Sequence, residues 1–250
     1  MTTVQDIFRF TEGFAPVSTA AGFDNCGILA GDKNASVTRA LLSLDITKSV
    51  VEEAKNTGAE LIINHHPVIF NPLKKLTSDS VPYLLAKYGI SALCLHTNLD
   101  RAEDTGVNVC LGDALSLEDT TLYAEDFLLV GKLRKAMSLE EFLAFTKERL
   151  HSPSIACAGK KDLIETVAVS SGAGADSYHT AVSLGADVLL TGEAKHHEYL
   201  EAAEGEIPLV TAGHFHTEDV VITPLINKLS KEFEDVEFIK SQTEFPVTYL

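Results

Sequence analysis

Apolar runs of about four to six residues alternate with segments whose apolar residues recur at helical spacing, through most of the chain. Ala40–Leu44 predicts a strand and Thr47–Lys55 a helix, with Gly58 as its stop. Leu61–Ile63 predicts a second strand, Ser80–Tyr88 a helix stopped by Gly89, and Ile90–Leu95 a third strand. A helix over Val107–Leu115 follows. Further strands are predicted near Phe127–Leu133, Val167–Ser170, Val188–Thr191, Leu209–Ala212 and Val236–Ile239. Helices fall near Leu139–Leu150, Asp176–Leu184 and Glu193–Ala203, and one more ends near Phe233. At the N-terminus, Thr3 with Asp6 reads as the capped start of an amphipathic helix. Strand–helix alternation of this kind predicts an α/β fold with substantial parallel sheet.

The pattern also echoes itself. Val50-Val51-Glu52-Glu53-Ala54-Lys55 leads to Gly58-Ala59-Glu60, three aliphatics, then His65-His66. Tyr178-His179-Thr180-Ala181-Val182 leads to Gly185-Ala186-Asp187, three aliphatics, then, after a longer gap, His196-His197. Two similar α/β lobes are the expectation, residues 1–120 and 121–250, with the boundary in the acidic, weakly periodic stretch 112–126. Gly-Ala-acid-aliphatic is also an ordinary helix-to-strand turn, so coincidence between two βαβ units stays open.

Composition narrows the classes. At 250 residues and 45% hydrophobic, the chain can bury one large core or two modest ones. No apolar stretch approaches the roughly 20 residues of a membrane span. The N-terminus lacks the basic and apolar regions of a signal peptide. A cytoplasmic protein with no membrane partner is expected. Cys26, Cys94, Cys110 and Cys157 form no C-x-x-C pair and read as small buried hydrophobes in a reducing compartment. The net charge of −16 and the absence of a Lys/Arg cluster disfavour nucleic acid as a partner. An acidic surface attracts divalent cations, although many cytosolic chains are acidic for solubility alone.

Candidate chemistry sits where apolar runs stop. In open α/β sheets, sites form beyond the carboxyl ends of the strands. Leu61–Ile63 leads to His65 and His66; Leu93-Cys94-Leu95 to His96 and Asp100; Leu209–Ala212 to His214 and Glu218. Imidazoles with carboxylates suit Zn, Fe, Mn, Co or Ni, and argue against Ca and thiolate sites. Neighbours on an extended chain point opposite ways, so His65 and His66 are expected not to share one ion. Each could serve one ion of a pair, or one could bind while the other packs. His214 and Glu218 have the i, i+4 spacing of one helix face. His196 and His197 fit either a solvated helix face or a substrate-facing position. His151, His179 and His216 receive no role. Ser170-Ser171-Gly172-Ala173-Gly174 has the look of a phosphate-cradling loop but lacks G-x-G-x-x-G, so a tight turn is favoured.

With these residues laid out, the chain resembles the Nif-three-like family, whose members are called GTP cyclohydrolase 1 type 2 homologues. The matching motifs are Asp24-Asn25-Cys26-Gly27, Asn64-His65-His66-Pro67, His96-Thr97-Asn98-Leu99-Asp100, Thr191-Gly192-Glu193, and Gly213-His214 with Thr217-Glu218. The resemblance runs nearly end to end. It implies a dinuclear metal site in the cleft between two similar lobes, holding two divalent transition-metal ions. The implied ligands are His65, His66, Asp100, His214 and Glu218, with His96 an extra ligand or a close neighbour. It further implies a homo-oligomer, often a ring-shaped hexamer. Many members carry an inserted domain that a chain this short cannot hold. GTP ring opening is attributed to some members and others are unassigned metal-binding proteins. The expected function is therefore metal-dependent hydrolysis of a purine nucleotide such as GTP, by attack of activated water on C8 of guanine. Glu218 and Asp100 are the expected catalytic carboxylates, holding or bridging the ions, with His196 or Glu193 moving protons. The rival is a non-catalytic metal-binding or metal-delivery protein, or a ring scaffold.

Overall fold

The computed structural model describes residues 1–243 and 245–248. Its strands are β1 (Gly27–Ala30), β2 (Arg39–Ser43), β3 (Leu61–Asn64), β4 (Ser91–Cys94), β5 (Glu118–Tyr123), β6 (Leu128–Met137), β7 (Ala156–Ala158), β8 (Ile164–Ser170), β9 (Val188–Thr191), β10 (Leu209–Thr211) and β11 (Glu237–Lys240). They form two mixed sheets, ordered β1-β4-β3-β2-β11 and β5-β6-β8-β9-β10-β7. In the first, β4, β3, β2 and β11 run parallel and β1 is antiparallel. In the second, β8, β9 and β10 run parallel between antiparallel neighbours. The fold is mixed α/β.

The chain divides into two compact units. One comprises Met1–Thr105 with the returning segment Ile222–Phe245; the other is built on Gly106–Val221. This differs from the expected 1–120 and 121–250. The helix Ile222–Glu232 and β11 belong with the first unit because β11 pairs with β2, Phe238 opposite Ala40 and Ile239 opposite Leu41. Hydrophobic periodicity gives an element's type, not the sheet it joins.

The first unit shows how local signals set the frame. Thr3 accepts from the Asp6 amide while the Asp6 carboxylate accepts from the Thr3 amide, a capping box that starts the helix Val4–Thr11. Thr47 caps the helix Lys48–Thr57, and Gly58 ends it at φ 73°, a left-handed conformation cheap only for glycine. That helix and Val81–Tyr88 pack Val50, Val51, Ala54 and Leu85 onto Leu41, Ile62 and Ala92 of the sheet. The alternate residues Ala40, Leu42, Leu61, Ile63 and Leu93 are equally buried. Burial on both faces is why these strands read as unbroken apolar runs.

The second unit repeats the plan. Val167, Val169, Val188, Leu190 and Val210 join one cluster, with Phe142 and Leu111. Ala168, Leu189 and Leu209 join another on the opposite face, with Tyr178 and Ala202. The sequence echo is real geometry. Glu60 accepts from the amides of Thr38 and Arg39 at 3.1 and 2.9 Å; Asp187 accepts from those of Glu165 and Thr166 at 3.0 and 2.9 Å. Each acid ties the start of one strand to the start of the next. The registers have the same offset, Ala40 opposite Leu61 and Val167 opposite Val188.

The sequence pattern missed β1, β5 and β7. Four of the six β5 residues are exposed, and β7 is largely exposed, so neither carries a strong apolar signal. The helix expected from Glu193 starts at His196. Cys94 and Cys110 are buried as expected, but Cys26 is half-buried and Cys157 is exposed on the edge strand β7. Among the described residues, no helix is long and apolar enough to cross a membrane.

Candidate metal centre

In the first unit the strand ends gather imidazoles. β3 stops at Asn64, so His65 and His66 lie beyond the pleat. Their amides turn back to Leu44, and Asn64 Nδ2 donates to the His66 carbonyl at 2.5 Å. The alternation that would have sent the two rings apart no longer applies. This corrects the expectation that they face opposite ways: their ring centroids are 5.0 Å apart, and those of His65 and His96 are also 5.0 Å apart. His65, His66 and His96 each offer a ring nitrogen, all within 4.8 Å of one another, and the group could hold a metal ion.

Each ring is held from behind. His65 Nδ1 lies 2.8 Å from the Leu95 carbonyl oxygen, which can only accept, so that nitrogen carries the proton. His66 Nδ1 meets Asp45 Oδ1 at 2.9 Å and His96 Nδ1 meets Asp24 Oδ1 at 2.9 Å. An imidazole with its proton fixed at Nδ1 presents Nε2 as the ligand atom, and the acceptor behind it raises ligand basicity. His65 is buried, and its Nε2 is 3.7 Å from Asp100 Oδ1. Asp100 closes the short helix Thr97–Asp100 that starts directly after His96.

Asp24 is the hub of this arrangement. Its side chain is 0% exposed. The amides of Asn25 and Thr97, the Thr97 hydroxyl, the Cys26 thiol and His96 all donate to it. Burial alone would push its pKa up. The bonds from His96, Thr97 and Cys26 outweigh that and hold it below the usual carboxylate range. A permanent negative charge therefore sits behind His96. Asn25 donates to the Ile69 carbonyl and joins this loop to the segment after His66.

The second unit supplies a different set. Gly213, at φ 89°, turns the chain from β10 into the helix His214–Glu218, where the i, i+4 pair meets: His214 Nε2 lies 3.2 Å from Glu218 Oε2. On its other side His214 Nδ1 is 3.2 Å from Glu193 Oε1. Glu218 is buried and Glu193 exposed. Two glycines make the room. A Cβ on Gly172 would overlap Glu218 Oε1 and approach His214 Nε2. A Cβ on Gly192 would stand 2.5 Å from the Gly172 carbonyl oxygen and 2.7 Å from His214 Cα. Those clearances account for the glycine in Thr191-Gly192-Glu193.

The Ser170–Gly174 loop is a structural turn. Three of its amides are already engaged: Ser171 donates to Asn108 Oδ1, Gly172 to Thr217 Oγ1 and Gly174 to Thr191 Oγ1. His196 and His197 are exposed at the start of the helix His196–Glu204. His179 pairs with Glu201 at the surface. Asp45 and the backing role of Asp24 escaped sequence reading. Both had signals: Asp45 stands just past the apolar run of β2, where the strand-end rule would have found it, and Asp24 opens Asp24-Asn25-Cys26-Gly27.

The family profile of Duf34/NIF3 (NGG1p interacting factor 3) matches residues 2–246, and the chain belongs to this family. It is 32% identical over 252 aligned positions to a "GTP cyclohydrolase 1 type 2 homolog" of Clostridium perfringens, covering 96% of each chain. A solved Staphylococcus aureus structure, "hypothetical protein SA1388", superposes with a TM-score of 0.93 at 27% identity, covering 99% of both chains. "Reduced HcgD" from Methanocaldococcus jannaschii superposes with a TM-score of 0.83 at 30% identity, covering 97% of this chain and 98% of that one.

The donors fit a transition metal. Three imidazoles with fixed tautomers in one unit, and an imidazole between two carboxylates in the other, are borderline-to-hard ligands of the kind zinc, iron, manganese, cobalt or nickel take.

Proposed function

We propose that the chain is a dinuclear metal-binding protein that hydrolyses a purine nucleotide such as GTP. His65, His66, His96 and Asp100 would supply ligands from the first unit, and His214 and Glu218 from the second, on two divalent transition-metal ions in the cleft between the lobes. The observation that carries the metal reading is the three-imidazole cluster with each Nδ1 committed to an acceptor. The number of ions and their place in a cleft come from the family resemblance. Bound divalent ions would supply Lewis acidity and water activated near neutral pH.

The chain's own residues do the rest. Glu218, buried and beside His214, would hold or bridge the ions, and Asp100 would do so beside His65. Glu193 would fix the His214 ring through Nδ1. The nucleotide substrate is supported by the name its relatives carry, "GTP cyclohydrolase 1 type 2 homolog". A cytoplasmic homo-oligomer, a hexameric ring in the family's manner, completes the proposal.

A second reading, a metal carrier without catalysis, is favoured by two features. The chain carries a net charge of −16, and three amides of its glycine-rich loop are already engaged, which suits a triphosphate poorly. Metal analysis of the purified protein, followed by GTP turnover with each metal restored, separates the two. The hydrolase reading expects stoichiometric metal and turnover that His65→Ala abolishes while the fold survives. Stoichiometric metal with no turnover under any metal would favour the carrier.

A further inference from the structure

Behind the histidines lie two thiols, Cys26 and Cys94. Cys26 immediately precedes β1, whose Gly27 pairs with Cys94 of the antiparallel β4. Gly27 sits at φ 98°, outside strand geometry, so Cys26 does not continue the alternation of β1. That register sets Cys26, the residue before Gly27, beside Cys94 across the strand pair, where the two thiols interact. Cys26 is half-buried and Cys94 fully buried. β1 is an edge strand, paired on one side only, with an irregularity between Ile28 and Ala30.

Each thiol also braces the histidine cluster. Cys26 Sγ donates to Asp24 Oδ2 at 3.1 Å, on the carboxylate that holds His96. Cys94 Sγ donates to the His65 carbonyl oxygen at 3.0 Å. Of the other cysteines, Cys110 lies in the helix Val107–Ala114 of the other unit and Cys157 is exposed on β7.

We propose that Cys26 and Cys94 are a redox-active dithiol that a small peroxide oxidises to a disulfide, loosening the histidine cluster they brace. Cys26, the thiol that solvent reaches, attacks the peroxide. The O–O bond breaks, one oxygen stays on sulfur as a sulfenic acid, and the other leaves as water. Cys94 then attacks the Cys26 sulfur, the S–O bond breaks, and the oxygen leaves as a second water, carrying the Cys94 proton. Two thiols and one hydrogen peroxide become one disulfide and two waters, each sulfur losing one electron and the peroxide gaining two. The product has neither S–H donor, so Asp24 and the His65 carbonyl each lose one hydrogen bond. The dithiol stands on the β1–β4 register that sets Cys26 beside Cys94. Its effect on metal rests on the metal reading proposed above.

The test uses the full chain with exposed Cys157 changed to Ser, in two arms. The first treats it with limiting hydrogen peroxide, blocks residual thiols and maps peptides by mass. The expected result is a Cys26–Cys94 cross-linked peptide, removed by dithiothreitol and absent from Cys26→Ser and from Cys94→Ser. Both thiols still open to the blocking reagent, or Cys26 carried to sulfinic acid with Cys94 untouched, would overturn the dithiol. The second arm measures zinc retention against a chelator before and after oxidation. Retention should fall several-fold in the parent and not in Cys26→Ser, which keeps a donor to Asp24. Unchanged retention in a fully cross-linked protein would overturn the coupling. A protein that takes no zinc in either state would overturn the metal reading and the coupling while leaving the cross-link standing.

Discussion

The two units build the same strand–helix–strand crossing and finish it with different chemistry. In both, a helix ends at a left-handed glycine, an alanine packs inward, and an acid two residues past the glycine ties the starts of two parallel strands together: Gly58 to Glu60 in one, Gly185 to Asp187 in the other. Beyond the far ends of the strands the likeness stops. β2, β3 and β4 lead to Asp45, His65 with His66, and His96. β8, β9 and β10 lead to Gly172, Glu193, and His214 with Glu218. The first unit gathers three imidazoles, each with an acceptor behind it. The second gathers one imidazole between two carboxylates, in space kept open by Gly172 and Gly192. At the amino ends of the strands the frame is the same: a carboxylate accepting from two backbone amides of the neighbouring strand. The loops at the carboxyl ends are where donors can differ without unfolding the sheet.

If the frames are equivalent, equivalent core cuts should cost alike. Ile62→Ala and Leu189→Ala remove fully buried side chains from corresponding strands, and each should cost roughly 2–5 kcal/mol in urea titration. A large disparity would break the equivalence. Gly192→Ala tests the crowded end of the second unit. Its Cβ would meet backbone that cannot swing aside, so a loss of about 1–3 kcal/mol is expected, together with weaker metal binding by His214 and Glu218.

Asp24→Asn probes the acceptor behind His96. The amide keeps the shape but removes the charge and turns an NH2 toward groups that donate to Asp24, so metal affinity measured by titration should fall about 10–100-fold, with a stability loss of about 1–3 kcal/mol. The smallest effect is on the amino-end tie. Burial pushes the Glu60 carboxyl up, but bonds from Arg39 and Thr38 outweigh it and lower its folded pKa below the ordinary glutamate value. The unfolded chain therefore binds this proton first as pH falls. Glu60 contributes its full stabilisation above the ordinary glutamate range and loses it as pH drops through the lower folded value. Glu60→Gln should cost about 1 kcal/mol or less at neutral pH, because the site is partly solvated, and should flatten the acid limb of a stability–pH curve.

Strand identity was legible wherever both faces are buried, as in Leu61–Asn64 and Val188–Thr191. It failed for Glu118–Tyr123, whose side chains mostly face water, and for Gly27–Ala30, where glycine opens a short strand. The return of Glu237–Lys240 to the first sheet was not legible at all, since pairing partners leave no mark on a strand's own periodicity. The site was half legible. The six candidate donors stood out at strand ends, but the convergence of His65 with His66 did not, because β3 ends at Asn64 and the period-two alternation ends with it. The acceptors at Asp24 and Asp45 lie far in sequence from the rings they hold, and only the folded chain joins them.

The most direct test is zinc binding by the reduced, purified protein, compared with His65→Ala, His66→Ala and His96→Ala after each variant is shown to be folded. The account predicts stoichiometric zinc in the parent and a clear loss of affinity on removal of any of the three imidazoles. A folded parent that takes up no zinc, iron, manganese, cobalt or nickel would contradict it, as would full affinity retained when all three rings are gone.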